Sequence, residues 1–148
     1  MPRFIETYRG AVAAWECDEF GHMNVQFYTA RMSDGFWQLL MALGMGPAVR
    51  RERQIGIVAI DNSSQYRREV KAGELIRVES GAVEIGEKSV VFQHRMISGE
   101  TGEIAFTSSA KSVCFDLKAR RSIPFPPEIR ATIEALVAGG EKTGSDAS

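Results

Sequence analysis

Cysteine and histidine are both scarce in this chain of 148 residues: Cys17 and Cys114, His22 and His94. Two thiols cannot form the staple framework of a small secreted domain, and reduced, partly buried thiols are the simpler reading. With two histidines and no G-x-S-x-G, a nucleophile-elbow hydrolase is excluded. No G-x-x-x-x-G-K-[ST] and no G-x-G-x-x-G following a strand is present, which removes P-loop and Rossmann sites. Neither C-x-x-C nor H-E-x-x-H occurs, so no zinc site is expected. An excess of either charge is also lacking. Lys plus Arg total 18 and Asp plus Glu 19, for a net charge of −1, far from the basic footprint of a nucleic-acid binder. The longest apolar stretch, residues 36–45, is interrupted by Gln38 and Gly44 and falls well short of the roughly 20 residues that span a bilayer. The N-terminus carries early charge and no apolar core of a signal peptide. The expectation is a soluble, cytoplasmic protein with neither membrane nor nucleic acid as partner.

What is present is ordinary for a globular protein: 44% hydrophobic and 25% charged residues, in a length that suits one domain. Residues 3–15, with Tyr8, Val12 and Trp15, read as a first strand of irregular alternation. A polar turn follows, and Asn24 is placed to cap a helix. From Val25 to Leu43 the period becomes helical. Tyr28, Met32, Phe36, Leu39 and Leu43 line one face, while Phe27, Ala30, Trp37 and Met41 put apolar groups on the others. A helix apolar nearly all round is a buried one. Gly44-Met45-Gly46-Pro47 ends it, and Gly35 inside it implies close approach of another backbone. Residues 50–53 read as a charged, solvated connector.

Residues 55–70, 74–86, 88–98 and 103–117 each read as a strand. The turns at 86–87 and 98–102 join neighbours directly, which predicts an antiparallel meander. Pro127 fits the first position of a short helix to about Val137. The result is one domain over residues 1–138 and a small, polar tail over 139–148 read as disordered. One helix buried all round in so small a chain needs a cover besides its sheet, and a second copy is the simplest one. A homodimer is therefore expected, with a homotetramer left open.

The chemistry concentrates between Trp15 and Tyr28, directly before the long helix. Helix N-terminal N–H groups are unpaired and carry partial positive charge, which suits a developing oxyanion. A carboxylate one turn away can serve as base or nucleophile. That combination is sufficient for acyl transfer. Each residue also has a plainer role. Asp18 can cap the turn. His22 can orient the loop without titrating. Asn24 can be N-cap, substrate contact or both. Tyr28 is more often core packing than an acid. Glu16 and Glu19 read as solvated, His94 as structural, and Cys17 has no neighbouring histidine in sequence to activate it. Phe20, Phe27 and Trp37 line a pocket or join the core. Arg67, Arg68 and Lys71 are either a solvated strand end or a seat for phosphates.

The 14-residue string from Trp15 to Tyr28, with Asp18, Gly21, His22, Asn24 and Tyr28 in register, resembles the D-x-x-G-H-x-N-x-x-x-Y signature of hotdog-fold acyl-CoA thioesterases, nearest to the 4-hydroxybenzoyl-CoA thioesterase-like branch. The resemblance covers roughly residues 5–120. It implies an α+β hotdog fold, in which a five-stranded antiparallel sheet wraps the long helix. It implies hydrolysis of an acyl-CoA, with Asp18 as nucleophile or general base, the helix N-terminus at Asn24–Tyr28 polarising the carbonyl, and no cofactor beyond the CoA of the substrate. Lys88 and Ser89 resemble a family turn that contacts the CoA nucleotide, and Arg67 is added as a phosphate contact. Val25 stands where many members have a second Asn, and Glu16 where many have Asp. A hotdog protein that binds an acyl-CoA or acyl carrier without turnover is the alternative.

Overall fold

A computed structural model describes residues 1–139; of the tail expected over 139–148, residues 140–148 lie outside the described residues. Strand β1 (Phe4–Ala11) leads through a single 3-10 turn (Ala14–Glu16) to helix α1 (Val25–Ala42). Helix α2 (Pro47–Arg53) follows, then strands β2 (Ile55–Tyr66), β3 (Leu75–Ile85), β4 (Ser89–Ser98) and β5 (Ile104–Asp116). A two-residue strand β6 (Arg121–Ser122) and helix α3 (Pro127–Ala138) close the chain. The sheet is antiparallel throughout, in the order β1-β3-β4-β5-β2, with β6 added to β5. The β3-β4-β5 meander is as expected. This is the hotdog fold, with α1 lying along the inner face of the curled sheet.

Alternation puts Val90, Phe92, His94 and Met96 of β4 on the inner face, all buried. The core divides into two apolar clusters. One gathers Leu39, Leu40, Phe92 and Ile133 under α3. The other gathers Met23, Tyr28, Val70, Met96 and Phe106 beneath the N-terminal half of α1. Between them lies a polar layer. Thr7 Oγ1 and Ser80 Oγ are 2.8 Å apart, and Ser80 Oγ is 2.7 Å from His94 Nδ1. Gly35 lets α1 close onto this layer: a Cβ there would sit 2.7 Å from Thr7 Oγ1 and 3.1 Å from Val78 Cγ1. The close neighbours are side chains, not the backbone that the sequence suggested.

Three expectations need correction. Residues 50–53 are not a loop but the end of α2. Pro47 sits in its first turn, where the missing N–H costs nothing. Arg50, Arg51 and Arg53 occupy its last turn, where cations complement the helix dipole, and Gln54 closes it in the left-handed region at φ 55°. Helix α1 is not buried all round within one chain, because Val25, Trp37 and Met41 are 58%, 49% and 62% exposed. It packs on β1, β3 and β4; Ile55 and Ile57 of β2 join the core, while the rest of that strand's inner face is left open. Glu16, expected in solvent, is buried. Its carboxylate accepts from the Ala13 N–H at 2.7 Å and faces Arg31 at 3.5 Å.

Candidate active site

The segment from Cys17 to Met23 forms a tight hairpin. Asp18 N–H donates to the His22 carbonyl, Gly21 N–H donates back to the Asp18 carbonyl, and Gly21 turns the chain at φ 85°, a conformation that glycine adopts without strain. Met23 N–H donates to the Val70 carbonyl at 2.6 Å, and Asn24 N–H to the Glu16 carbonyl at 2.8 Å. These bonds tie the hairpin to the strand end after β2 and to the 3-10 turn before it. The Glu16–Arg31 pair fastens that turn to α1.

Asp18 is held at both carboxylate oxygens. Phe20 N–H donates to Oδ1 at 3.0 Å, and Asn24 Nδ2 donates to Oδ2 at 3.1 Å. The Asn24 hydrogen bond, aided by the Phe20 N–H, holds the carboxyl below its ordinary range, so Asp18 is an anion at neutral pH. Asn24 works in two directions, since its Oδ1 also accepts from Gln26 N–H at 3.1 Å as the N-cap of α1. Among the described residues, the Val25 N–H at the head of α1 has no hydrogen-bond acceptor. A fixed carboxylate and a free helix N–H therefore flank the same end of α1.

His22 Nε2 lies 3.1 Å from a carboxylate oxygen of Glu69, so it clips the hairpin to the segment after β2. Tyr28 is buried and donates its hydroxyl to the Arg68 carbonyl at 3.3 Å. Burial raises its pKa. Its ring stands edge-on to Tyr66 and tilts against Phe106, with centroids 5.3 Å away in each case. His22, Tyr28, Tyr66, Arg67 and Glu69 line a cavity of about 320 Å³ at this helix end. Arg67 reaches it with Gln65 as its one side-chain partner among the described residues, whereas Arg68 is engaged by Glu74 at 3.1 Å.

Lys88 and Ser89 are elsewhere. Lys88 precedes β4 and Ser89 begins it, at the end of the sheet beside α3, while Met96 is at the Tyr28 end. Seven residues of strand rise separate Ser89 from Met96, about 23 Å. One chain does not bring this turn to Asp18. Nor do the three aromatics line the cavity: Phe20 is an exposed loop tip, Phe27 stacks edge-on with Trp15, and Trp37 lies under the Arg50 guanidinium. Sequence reasoning missed the part played by Glu16 and Arg31. Arg31, fifteen residues on, was the available signal, since it falls within α1 and needs an anion. Among the described residues no three His, Cys, Asp or Glu side chains converge on a point that would hold a metal.

The sequence model of the thioesterase-like superfamily matches residues 12–133, from the end of β1 into α3. The chain belongs to this superfamily. Its hairpin, helix α1 and whole meander fall within the match. Among curated proteins, the L-carnitine dehydrogenase/betainyl-CoA thioesterase of Rhizobium meliloti strain 1021 is 25% identical over 130 residues, covering 88% of this chain and 26% of that protein. The chain thus spans about a quarter of the length of the curated relatives it matches. Among solved structures, a hypothetical protein of Staphylococcus aureus in complex with CoA superposes with a TM-score of 0.87 at 17% identity, covering 97% of this chain and 89% of that one. The DHNA-CoA thioesterase of the same organism gives 0.79 at 17% identity, with 91% of each chain covered. At these identities the superpositions establish the hotdog fold of this thioesterase-like chain.

Proposed function

We propose that this protein hydrolyses the thioester of an acyl-CoA at the N-terminal end of α1. The observation that carries the reading is Asp18, an anionic carboxylate gripped by Asn24 and the Phe20 N–H beside the free N–H of Val25. Membership of the thioesterase-like superfamily and curated relatives named betainyl-CoA thioesterases support the same chemistry. The thioester carbonyl oxygen points at the Val25 N–H, where the helix end stabilises negative charge. Asp18 either removes a proton from water as the water oxygen adds to the carbonyl carbon, or adds to that carbon itself. The C–S bond then breaks, and a proton passes to the CoA thiolate. In the second course water releases the acyl group from Asp18 in a later step. Asn24 positions the carboxylate, and His22 holds the hairpin through Glu69. Tyr28 forms the floor, since its hydroxyl is engaged by the backbone. Arg67 and Lys71 supply positive charge for CoA phosphates. The working unit is a homodimer in which a second copy covers the open side of α1 and β2. The turn at Lys88 and Ser89 then serves the partner's site.

The test is release of free CoA from a panel of acyl-CoAs. Asp18→Asn is expected to lower kcat by about 10²–10⁴-fold while leaving the melting temperature and CoA-ester binding close to wild type. Saturable binding without turnover by the wild type would favour a carrier or sensor. Full activity in Asp18→Asn would remove the proposed base.

A further inference from the structure

The inner face of β2 offers a feature that hydrolysis alone does not require. Alternation and register place Tyr66, Ser64 and Asn62 on it, opposite Phe106, Ser108 and Ala110 of β5. Tyr66 meets Tyr28 edge-on and lines the cavity at the helix end. From that point the strip leads away from Asp18 along β2. Ser64 lies about 7 Å beyond Tyr66 and Asn62 about 13 Å beyond it, at the rise of an extended strand. Ser108, itself buried, donates to Asn62 Oδ1 at 2.7 Å, which fixes the amide and leaves its N–H groups without an acceptor among the described residues. One rung farther, Ser112 Oγ is fully buried with no partner among the described residues.

The facing flank of α1 has the same character. Thr29 and Ser33 lie seven and three residues before Phe36, on one helical stripe, and Phe36 packs over Phe92 and His94 of β4, with β5 between that strand and β2. The strip carries no ionised side chain. Asp61 lies in register with the outward-facing Lys111 and so points away. A sheet face that lined a pocket for an alkyl chain would present Val, Leu or Phe here, as β4 does on the other side of the core with Val90 and Phe92. An alkyl chain laid on this strip would strip water from hydroxyl and amide groups and return nothing.

We propose that the acyl group is short and carries a neutral hydrogen-bonding substituent, a hydroxyl or an amide, read by Tyr66 and Ser64 at the near end of this strip. This rests on the thioesterase reading above and narrows its substrate class. The experiment compares kcat/KM for butyryl-CoA, 3-hydroxybutyryl-CoA, octanoyl-CoA and the cationic ester betainyl-CoA. The enzymes are the wild type, Ser64→Val and, as a milder change, Ser64→Ala, each checked by thermal melting. The expected result is at least a tenfold preference of the wild type for 3-hydroxybutyryl- over butyryl-CoA, shrinking severalfold in the folded Ser64 variants. Hydrolysis that favours butyryl-, octanoyl- or betainyl-CoA would overturn this inference and leave the thioesterase reading standing. A preference unchanged in both folded variants would overturn the assignment to this strip. Hydrolysis of none of the four esters by the wild type would count against the thioesterase reading itself, and this inference would fall with it.

Discussion

Asn24 joins two functions in one amide: its oxygen caps α1 and its nitrogen grips Asp18. Asn24→Ala should therefore cost about 1 kcal/mol of stability through the lost cap. It should also return the Asp18 pKa upward toward the ordinary 3.8. Chemical denaturation measures the first effect and NMR titration of the Asp18 carboxyl carbon the second. An unmoved Asp18 pKa would show that the Phe20 N–H alone sets it. His94 gives a second residue-level prediction. Burial pushes its pKa down from 6.5 to about 4, and its Nε2 has no partner among the described residues. The fold therefore keeps it neutral. Below about pH 6.5 the unfolded chain takes up a proton that the fold refuses, so stability falls as pH drops toward 4, by about 3 kcal/mol for this group. Above pH 6.5 both states are neutral and nothing is lost. His94→Asn keeps a group near the Ser80 hydroxyl but cannot titrate. Its melting temperature should fall less than that of the wild type between pH 7 and 4.5, and parallel curves would assign the acid sensitivity to the carboxylates instead.

At the level of elements, the legible features were those that local pattern decides. The 3.6-residue period from Tyr28 to Leu43 and the Asn24 cap placed α1 within a residue of its bounds. The short Gly-bearing turns at 86–87 and 98–102 placed the meander. What stayed hidden depends on partners far along the chain. The burial of Glu16 follows from Arg31, which one turn of chain cannot reveal. Helix α2 is a seven-residue helix whose polar Arg run has no apolar period to report it. The distance of Lys88 and Ser89 from Asp18 follows from strand length, which a motif does not carry. Gly35 shows the same limit, since propensity alone favours Ala there by about 1 kcal/mol. In the fold, Gly35→Ala should destabilise by about 1–2 kcal/mol, because the new methyl meets Thr7 Oγ1 at 2.7 Å and displaces the Thr7–Ser80–His94 chain. Combining it with Thr7→Ala should cost less than the sum of the two single changes. Urea denaturation of the four proteins checks this, and simple additivity would show that the helix shifts to accommodate the methyl.

The whole molecule leaves one edge and one face unfinished. Strand β2 is twelve residues long, bonds only to β5 among the described residues, and exposes Val58 and Ile60. Beside it α1 exposes Val25 and Trp37. A long, exposed edge strand whose N-terminal half is apolar is a liability in a monomer. Pairing β2 with β2 of a second copy removes the edge and lets the two open faces cover each other, because a twofold axis presents the same surface to itself. The Lys88–Ser89 turn points the same way. It lies too far from Asp18 to serve that site in its own chain, so any part it plays in holding CoA must be played across an interface. Sedimentation should give twice the chain mass of 16.3 kDa. Ile60→Lys places a charge in the middle of the edge, the device natural sheets use to prevent pairing. It should shift the protein toward monomer while β5 still holds β2 in place. Thioester turnover per chain should fall with the dimer fraction, and raising the protein concentration should restore both together. A wild type that sediments as a monomer at micromolar concentration with full activity would show that one chain completes the site.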